Sequence, residues 1–322
     1  MRTETTCVLL VTYNRSHLLL PLLDQLKKQT KPVNGILIVD NAATDGTPEK
    51  LKDHGVIQDW QEDRLVQSDW GGVNVYYFRS PVNTGGSGGF AKAFELVQQL
   101  DYDLVWAMDD DVFPADDCLE QLAGRLTPDV QVCVPSRDDG NWEDTAITAY
   151  NLTNPFLFTL AQIKTLVWTR DLTTDTVEVA DMVFEGPLMT MDVLKKTGVP
   201  NKDYFIKYDD TDYAHRLREH TRILYVKNAI LHKKIIPSQD DMSAWNWSHY
   251  YLLRNQFVFD RTYGKNLAVK YFRPVWSVLV RSAVAVIRKR PYRIKLLVMA
   301  YKDALLGHMG KTLAPGTDIT KL

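Results

Sequence analysis

The sequence predicts an α/β chain: a mostly parallel sheet flanked by helices, continued by a C-terminal helical extension. Three observations predict it. Short apolar, β-branched runs recur at 7–12 (CVLLVT), 35–40 (GILIVD), 73–78 (VNVYYF) and 103–108 (DLVWAM), and such runs suit strands buried on both faces. Segments with helical spacing separate them, which is the signature of a parallel sheet covered by helices. From about residue 240 the pattern is mostly helical and rich in Trp, Tyr and Arg.

Taken in order, NRSHLLLPLLDQLKKQ follows the first strand as a helix that Pro21 bends or delays. NAATDGT is a turn, and 47–53 a short helix. The glycine stretch 83–89 reads as a loop leading into the helix AKAFELVQQL. A helix is expected to begin near Phe113-Pro114-Ala115-Asp116, and VQVCVPS is a further strand. The stretch 136–180 is polar and irregular. DMVFEGPLMTMDVLKKTG reads as strand, turn and helix; another helix starts near Asp209; TRILYVKNAILHKK reads as two short strands. The expected division is a nucleotide-sugar-type domain at 1–239 and a basic helical region at 240–322.

The composition is that of a globular protein, with 45% hydrophobic and 24% charged residues. The net charge of -2 hides an asymmetry: 13 Lys/Arg against 2 Asp/Glu after residue 260, and 25 against 38 before it. A basic tail of this kind is expected to meet something anionic. Nothing points to nucleic acid. Three cysteines without CxxC spacing fit a reduced compartment. No apolar run approaches the ~20 residues of a membrane span.

Ligands of an open parallel sheet sit beyond the carboxyl ends of its strands. The residues placed there are Thr12, Tyr13, Asn14 and Arg15; Asp40 and Asn41; Asn83 to Gly89; and Asp109, Asp110 and Asp111. Three adjacent carboxylates repel one another, and a divalent cation, Mg²⁺ or Mn²⁺, relieves this with hard oxygen ligands. Asp109 and Asp111 can share one face of an extended segment, whereas a solvated acidic turn is the plainer reading. Gly86, Gly88 and Ala91 fit GxGxxG/A in form, but after the third strand rather than the first. No P-loop GK[ST] follows. A loop of Gly85, Gly86, Gly88 and Gly89 lets a sugar or diphosphate lie against bare backbone; a tight strand-to-helix connection is the alternative. Arg15 and Asp40 are candidate nucleobase contacts, or simple helix-start and turn residues. Asp209, Asp210 and Asp212 crowd a helix start, where the dipole favours carboxylates and would keep a base ionised. His232 ends an apolar run, as a packed side chain or as a neutral imidazole in an oxygen-rich metal site. Trp245, Trp247, Tyr250 and Tyr251 form either an acceptor platform or core. The tail from 270 mixes apolar and basic residues as an interfacial helix does, or pairs within the domain or with a second copy.

VTYNR (11–15), VDNAATDGT (39–47), NTGGSGGF (83–90), DDD (109–111) and YDDTDY (208–213) together resemble family 2 glycosyltransferases of the GT-A type, over about the first 235 residues. NTGGSGGF with WAMDDD and FIKYDD is most similar to bacterial galactofuranosyltransferases. The resemblance implies a UDP-sugar donor, with Arg15 and Asp40 on uracil and Asn83 and the glycines along the donor site. It further implies Asp109, Asp111 and His232 as metal ligands, Asp110 beside the donor, and Asp210 as catalytic base with Asp209 towards the acceptor. An inverting transfer onto a glycan or lipid-linked acceptor at the inner face of the membrane follows as an expectation. Rhamnosyltransferases using dTDP-rhamnose share most of these motifs. A nicotinamide-dependent oxidoreductase and a non-catalytic sugar-binding protein are the readings from other classes.

Overall fold

The computed structural model describes residues 4–236 and 245–322. The boundary expected at 239/240 lies outside the described residues. Strands β1 (Thr6–Thr12), β2 (Gly35–Asp40), β4 (Asn74–Arg79) and β5 (Leu104–Asp109) pair in parallel in the order β4-β2-β1-β5. Their residues are the apolar runs, and β1 and β2 are buried at every position. The antiparallel strand β3 (Leu65–Asp69) closes one edge. On the other side the sheet continues as β5-β11-β7-β12-β10, with β7 (Val132–Ser136), β10 (Thr176–Val179), β11 (Leu188–Thr190) and β12 (Ile223–Lys233). The short β6 (Val112–Pro114) pairs with the end of β12.

Helices cover both faces because both faces are apolar. On one side α1 (Ser16–Leu26), α2 (Thr47–Asp53) and α4 (Cys118–Ala123) bury Leu19, Leu22, Leu51 and Leu119 against Val8, Ile36 and Trp106. On the other, α3 (Gly85–Val97), α6 (Met191–Thr197) and α7 (Asp209–Leu217) bury Phe94, Leu194 and Tyr213 against Leu9, Val39 and Ala107. The hairpin of β8 (Thr145–Tyr150) and β9 (Lys164–Trp168), with the single turn α5 (Leu160–Ile163), stands apart from the main sheet.

Several local expectations give way to tertiary context. The glycine stretch is the first turn of α3 rather than a loop. Residues 164–168 and 176–179 are strands within a stretch too polar to read as such. In DMVFEGPLMTMDVLKKTG the strand is only Leu188–Thr190 and runs directly into α6, and TRILYVKNAILHKK forms one strand with a register shift between Val226 and Ile230 rather than two. The helix expected near residue 113 starts at Cys118, after β6. All three cysteines are free and buried.

The C-terminal helices are α8 (Trp247–Tyr263), α9 (Arg273–Ile287) and α10 (Tyr292–Leu306), and α8 and α10 bury Tyr251, Leu253, Leu296 and Leu297 together. Arg273 and Asp260 form a buried ion pair of 2.9 Å linking α9 to α8. The same guanidinium donates to the carbonyls of Asn151 and Asn154, so it also ties down the chain after β8. Burial pushes the Asp260 carboxyl up to about 7 even with Arg273 beside it. Removing one partner of such a pair strands the other charge in the interior. Arg273→Met is therefore expected to cost about 3–5 kcal/mol of unfolding free energy, and Arg273→Met with Asp260→Leu to recover part of that loss in urea titration. A double variant no more stable than the single one would refute this reading.

Candidate active site

β1 and β5 end side by side, with Val11 opposite Asp109. That register delivers Thr12 and Arg15 to the acidic tip. Asp110 turns inward, where it accepts from Thr12 Oγ1 at 2.7 Å and from Arg15 Nη1 at 2.9 Å. Arg15 also reaches Asp111 at 3.0 Å. Arg15, expected at a nucleobase, is instead spent on two of the three aspartates, because their mutual repulsion draws in the nearest cation.

Asp109 and Asp111 remain, and Glu185 joins them. One carboxylate oxygen from each lies within 4.8 Å of the others. Burial, then the charges of Asp111 and Glu185, push Asp109 well above the usual carboxylate range. Burial also raises Asp111, although Arg15 opposes it. Such a group of half-buried oxygens is suited to a hard divalent cation. Glu185 itself accepts from Arg137 at 2.8 Å and from Lys233 at 2.6 Å; these cations overcome its burial and hold its carboxyl below the ordinary value. Gly186 fixes its place. With φ 87°, a Cβ there would meet Leu231 Cδ1 at 2.5 Å, and the Gly186 carbonyl accepts from Trp106 Nε1 at 2.8 Å. Sequence reasoning missed Glu185; its signal was an acidic residue followed by Gly-Pro after an apolar run.

His232, expected as the third ligand, is not in this group. It lies opposite Phe113 in the β12–β6 pairing, and its Nδ1 is 3.0 Å from Asp139 Oδ2.

The glycines of α3 are explained mainly by protein atoms rather than by a ligand. A Cβ would meet the Phe205 carbonyl at 2.1 Å at Gly85, Thr84 Oγ1 at 2.5 Å at Gly88, and Val11 Cγ1 at 2.6 Å at Gly89. Gly86 alone of the four has open space beside it. Asn41 holds this turn, donating to the Gly85 carbonyl at 2.9 Å and accepting from the Thr84 amide at 3.0 Å. Asn83 caps the Gly85 amide at 2.8 Å. Asp40, expected at uracil, is fully buried and accepts from the Ala43 amide, Tyr77 and Arg79 at 2.7, 2.7 and 2.8 Å. Its carboxylate therefore braces the β2–β4 edge. Tyr13 is exposed, and Asn14 (φ 55°) accepts from the Thr44 amide at 2.6 Å. A cavity of 1060 Å³ runs along the outer side of α3 past Asn83, Gly88 and Gly89 towards Arg216 and Tyr263; the Asp109 group does not line it.

The segment before α7 carries positive φ at Phe205, Lys207 and Tyr208, none of them glycine. Backbone strain of this kind concentrates at functional sites. The Ser87 amide donates to the Phe205 carbonyl at 3.0 Å, so α3 and this segment are coupled. Asp209 lies beside Ser87 and Asp210 follows it. The dipole of α7 does not keep Asp210 readily ionised. Burial, then the charges of Asp209 and Asp181, push it well above the usual range, and Lys164 opposes this only in part. Asp181 is itself bound by Lys164 at 2.9 Å and by the Tyr150 hydroxyl. Of the expected acceptor platform, Tyr250 and Tyr251 are fully buried core. Trp245 is half-buried and stacks on His249, and Trp247 meets Tyr251 edge-on.

A carboxyl whose pKa is raised by folding stabilises the protonated protein, and that contribution is lost as pH rises through the folded value. Asp210→Asn removes the cost of ionising this group. The variant is expected to melt above the parent at pH 8, by a margin that shrinks towards pH 5. An Asn variant less stable at pH 8 would contradict the assignment.

Residues 7–176 match the family described as glycosyl transferase family 2. Over 225 residues the chain is 26% identical to the galactofuranosyltransferase GlfT1 of Mycolicibacterium smegmatis, a match covering 67% of this chain and 66% of that protein. GlfT1 of Mycobacterium tuberculosis is 24% identical over 222 residues, covering 67% and 65%. The match thus spans just under two thirds of these relatives' own length. Among solved structures, the mannosyltransferase PcManGT from Pyrobaculum calidifontis, in complex with GDP-Man and Mn²⁺, superposes with a TM-score of 0.55 at 15% identity over 95% of this chain and 88% of that one. GalNAc-T7 with UDP, GalNAc and Mn²⁺ gives 0.56 at 13% over 90% and 58%. At such identity these establish the GT-A fold alone. With residues 7–176, more than half of its length, matched to that family, the chain belongs to glycosyltransferase family 2.

Proposed function

We propose that the protein transfers a hexosyl group, with galactofuranose from UDP-galactofuranose as the leading donor, onto a hydroxyl of a glycan or lipid-linked acceptor with inversion. The observation that carries this reading is the carboxylate group of Asp109, Asp111 and Glu185 at the end of β5. The galactofuranosyl donor is supported by the relatives; dTDP-rhamnose is the second donor to test. A divalent cation, Mn²⁺ or Mg²⁺, held by these three residues would neutralise charge on the donor diphosphate. Arg15 and Thr12 keep Asp110 turned away, which leaves Asp109 and Asp111, the latter also bound by Arg15, beside Glu185 to hold the cation. Gly86 leaves room for the donor against the start of α3. Asp210 accepts the proton of the attacking hydroxyl as general base. Asp209 and the two tryptophans border the acceptor side.

The C-terminal helices are proposed to rest on the inner face of the membrane. Leu279, Ala283 and Val286 are exposed along one side of α9, Ile287 is 79% exposed, and Arg288, Lys289 and Arg290 follow. Apolar anchors beside cations suit an anionic interface. No helix among the described residues is long and apolar enough to cross a membrane.

Three tests follow from this reading. Asp210→Asn is expected to lower turnover by about 10²–10⁴-fold while UDP affinity holds; normal turnover would contradict the base assignment. Glu185→Gln, like Asp111→Asn, is expected to weaken UDP binding in the presence of Mn²⁺ but not in its absence, measured by calorimetry. Unchanged affinity would remove Glu185 from the metal set. Leu279→Glu with Val286→Glu is expected to abolish co-sedimentation with phosphatidylserine vesicles, and unaltered sedimentation would remove the membrane claim.

A further inference from the structure

Beside the acceptor end of the site lie three cations, none of them ion-paired to a carboxylate among the described residues. Lys207 Nζ, in the strained segment before α7, is 3.0 Å from Ser248 Oγ in the first turn of α8. His249, the next residue, stacks on Trp245 with ring centres 5.6 Å apart. The Arg293 guanidinium lies 4.6 Å from the Trp245 ring. Arg293 is only 8% exposed, and its Nε has no hydrogen-bond partner. Arg281 donates to the Phe158 carbonyl at 2.7 Å and to Ser277 at 3.1 Å, both neutral groups. The sequence holds no Asp or Glu between Asp260 and Asp303, so α9 and the first two turns of α10 bring no counter-charge of their own. The effect is visible at His249: burial, then Lys207, Arg293 and Arg281, push its imidazole down to about 4. Lys207 stands three residues before Asp210 at the start of α7, so the group adjoins the proposed base.

Like charges gathered in one place, one of them buried with an idle donor, form a site for an oxyanion. The first amides of α8 are already capped by the Asn246 side chain and add nothing to it. The donor's diphosphate belongs to the metal site at the tip of β5. We propose that Lys207, Arg281 and Arg293 bind a phosphate or diphosphate group carried by the acceptor, holding its sugar hydroxyl towards Asp210. This deepens the proposed transferase reading and rests on it for the identity of the acceptor end. The tryptophans would then flank the sugar next to that phosphate.

Two arms test it on the full chain. In EDTA, where the carboxylate site cannot retain a diphosphate, inorganic pyrophosphate is titrated calorimetrically against the parent, Arg293→Gln, and Lys207→Gln with Arg281→Gln. The second variant changes no buried unpaired group and guards against a folding defect in the first. Binding by the parent, weakened at least tenfold in the variants, is expected; no binding, or equal binding, overturns the site. In the second arm KM is compared for glycosides with and without a phosphate ester. The parent is expected to favour the phosphorylated acceptor and the double variant to lose that preference. Equal KM values in the parent overturn the assignment to the acceptor and leave a site for a free anion. A parent that fails to bind UDP with Mn²⁺ refutes the transferase reading separately, without touching the pyrophosphate arm.

Discussion

Too many carboxylates meet at the end of β5 for the protein to neutralise with its own cations, and the arrangement of the site follows from that excess. Arg15 and Thr12 satisfy Asp110 and hold it inward, and Arg137 and Lys233 satisfy Glu185 from the far side. Asp109 has no such partner among the described residues, and its neighbours raise its proton affinity. Hydrophobic burial builds the two faces of the sheet, but it is this residual negative charge, fixed by parallel pairing of β1 with β5, that gives the fold a chemical purpose. The contrast with the C-terminal region is direct: there, among the described residues, cations gather without ion-paired carboxylates, and the two imbalances lie at opposite ends of one proposed reaction.

Backbone contact joins those ends. Gly85 is required because the Phe205 carbonyl takes the space of its Cβ, and the Ser87 amide bonds to that same carbonyl. The first turn of α3 and the strained segment leading to Asp209 and Asp210 therefore form one rigid unit. In the proposed reading, a donor seated against Gly86 and a base at the start of α7 would be positioned by one contact rather than by two independent loops.

Much of this was legible in the sequence, and the rest was hidden for identifiable reasons. CVLLVT and GILIVD read as buried strands because both of their faces are apolar, and the acidic tip followed from adjacency in sequence alone. The glycine stretch reads as a loop because glycine disfavours helix locally, but it is the first turn of α3, and only tertiary contacts with Phe205, Thr84 and Val11 show why Gly85, Gly88 and Gly89 are needed there. Glu185 and Asp109 are far apart in the chain, so their meeting depends on β11 pairing with β5, which no local pattern reports. His232 looked like a ligand from its place at a strand end, but Asp139 lies closer to its ring. The dipole argument for Asp210 failed because burial and two neighbouring carboxylates outweigh a helix terminus.

The most direct test is a crystal grown with Mn²⁺ and UDP, with anomalous scattering recorded at the manganese edge. The account predicts one peak in contact with carboxylate oxygens of Asp109, Asp111 and Glu185 and with the UDP diphosphate, while His232 stays with Asp139. A peak bound through His232 without Glu185, or nucleotide seated with no manganese at the end of β5, would contradict it.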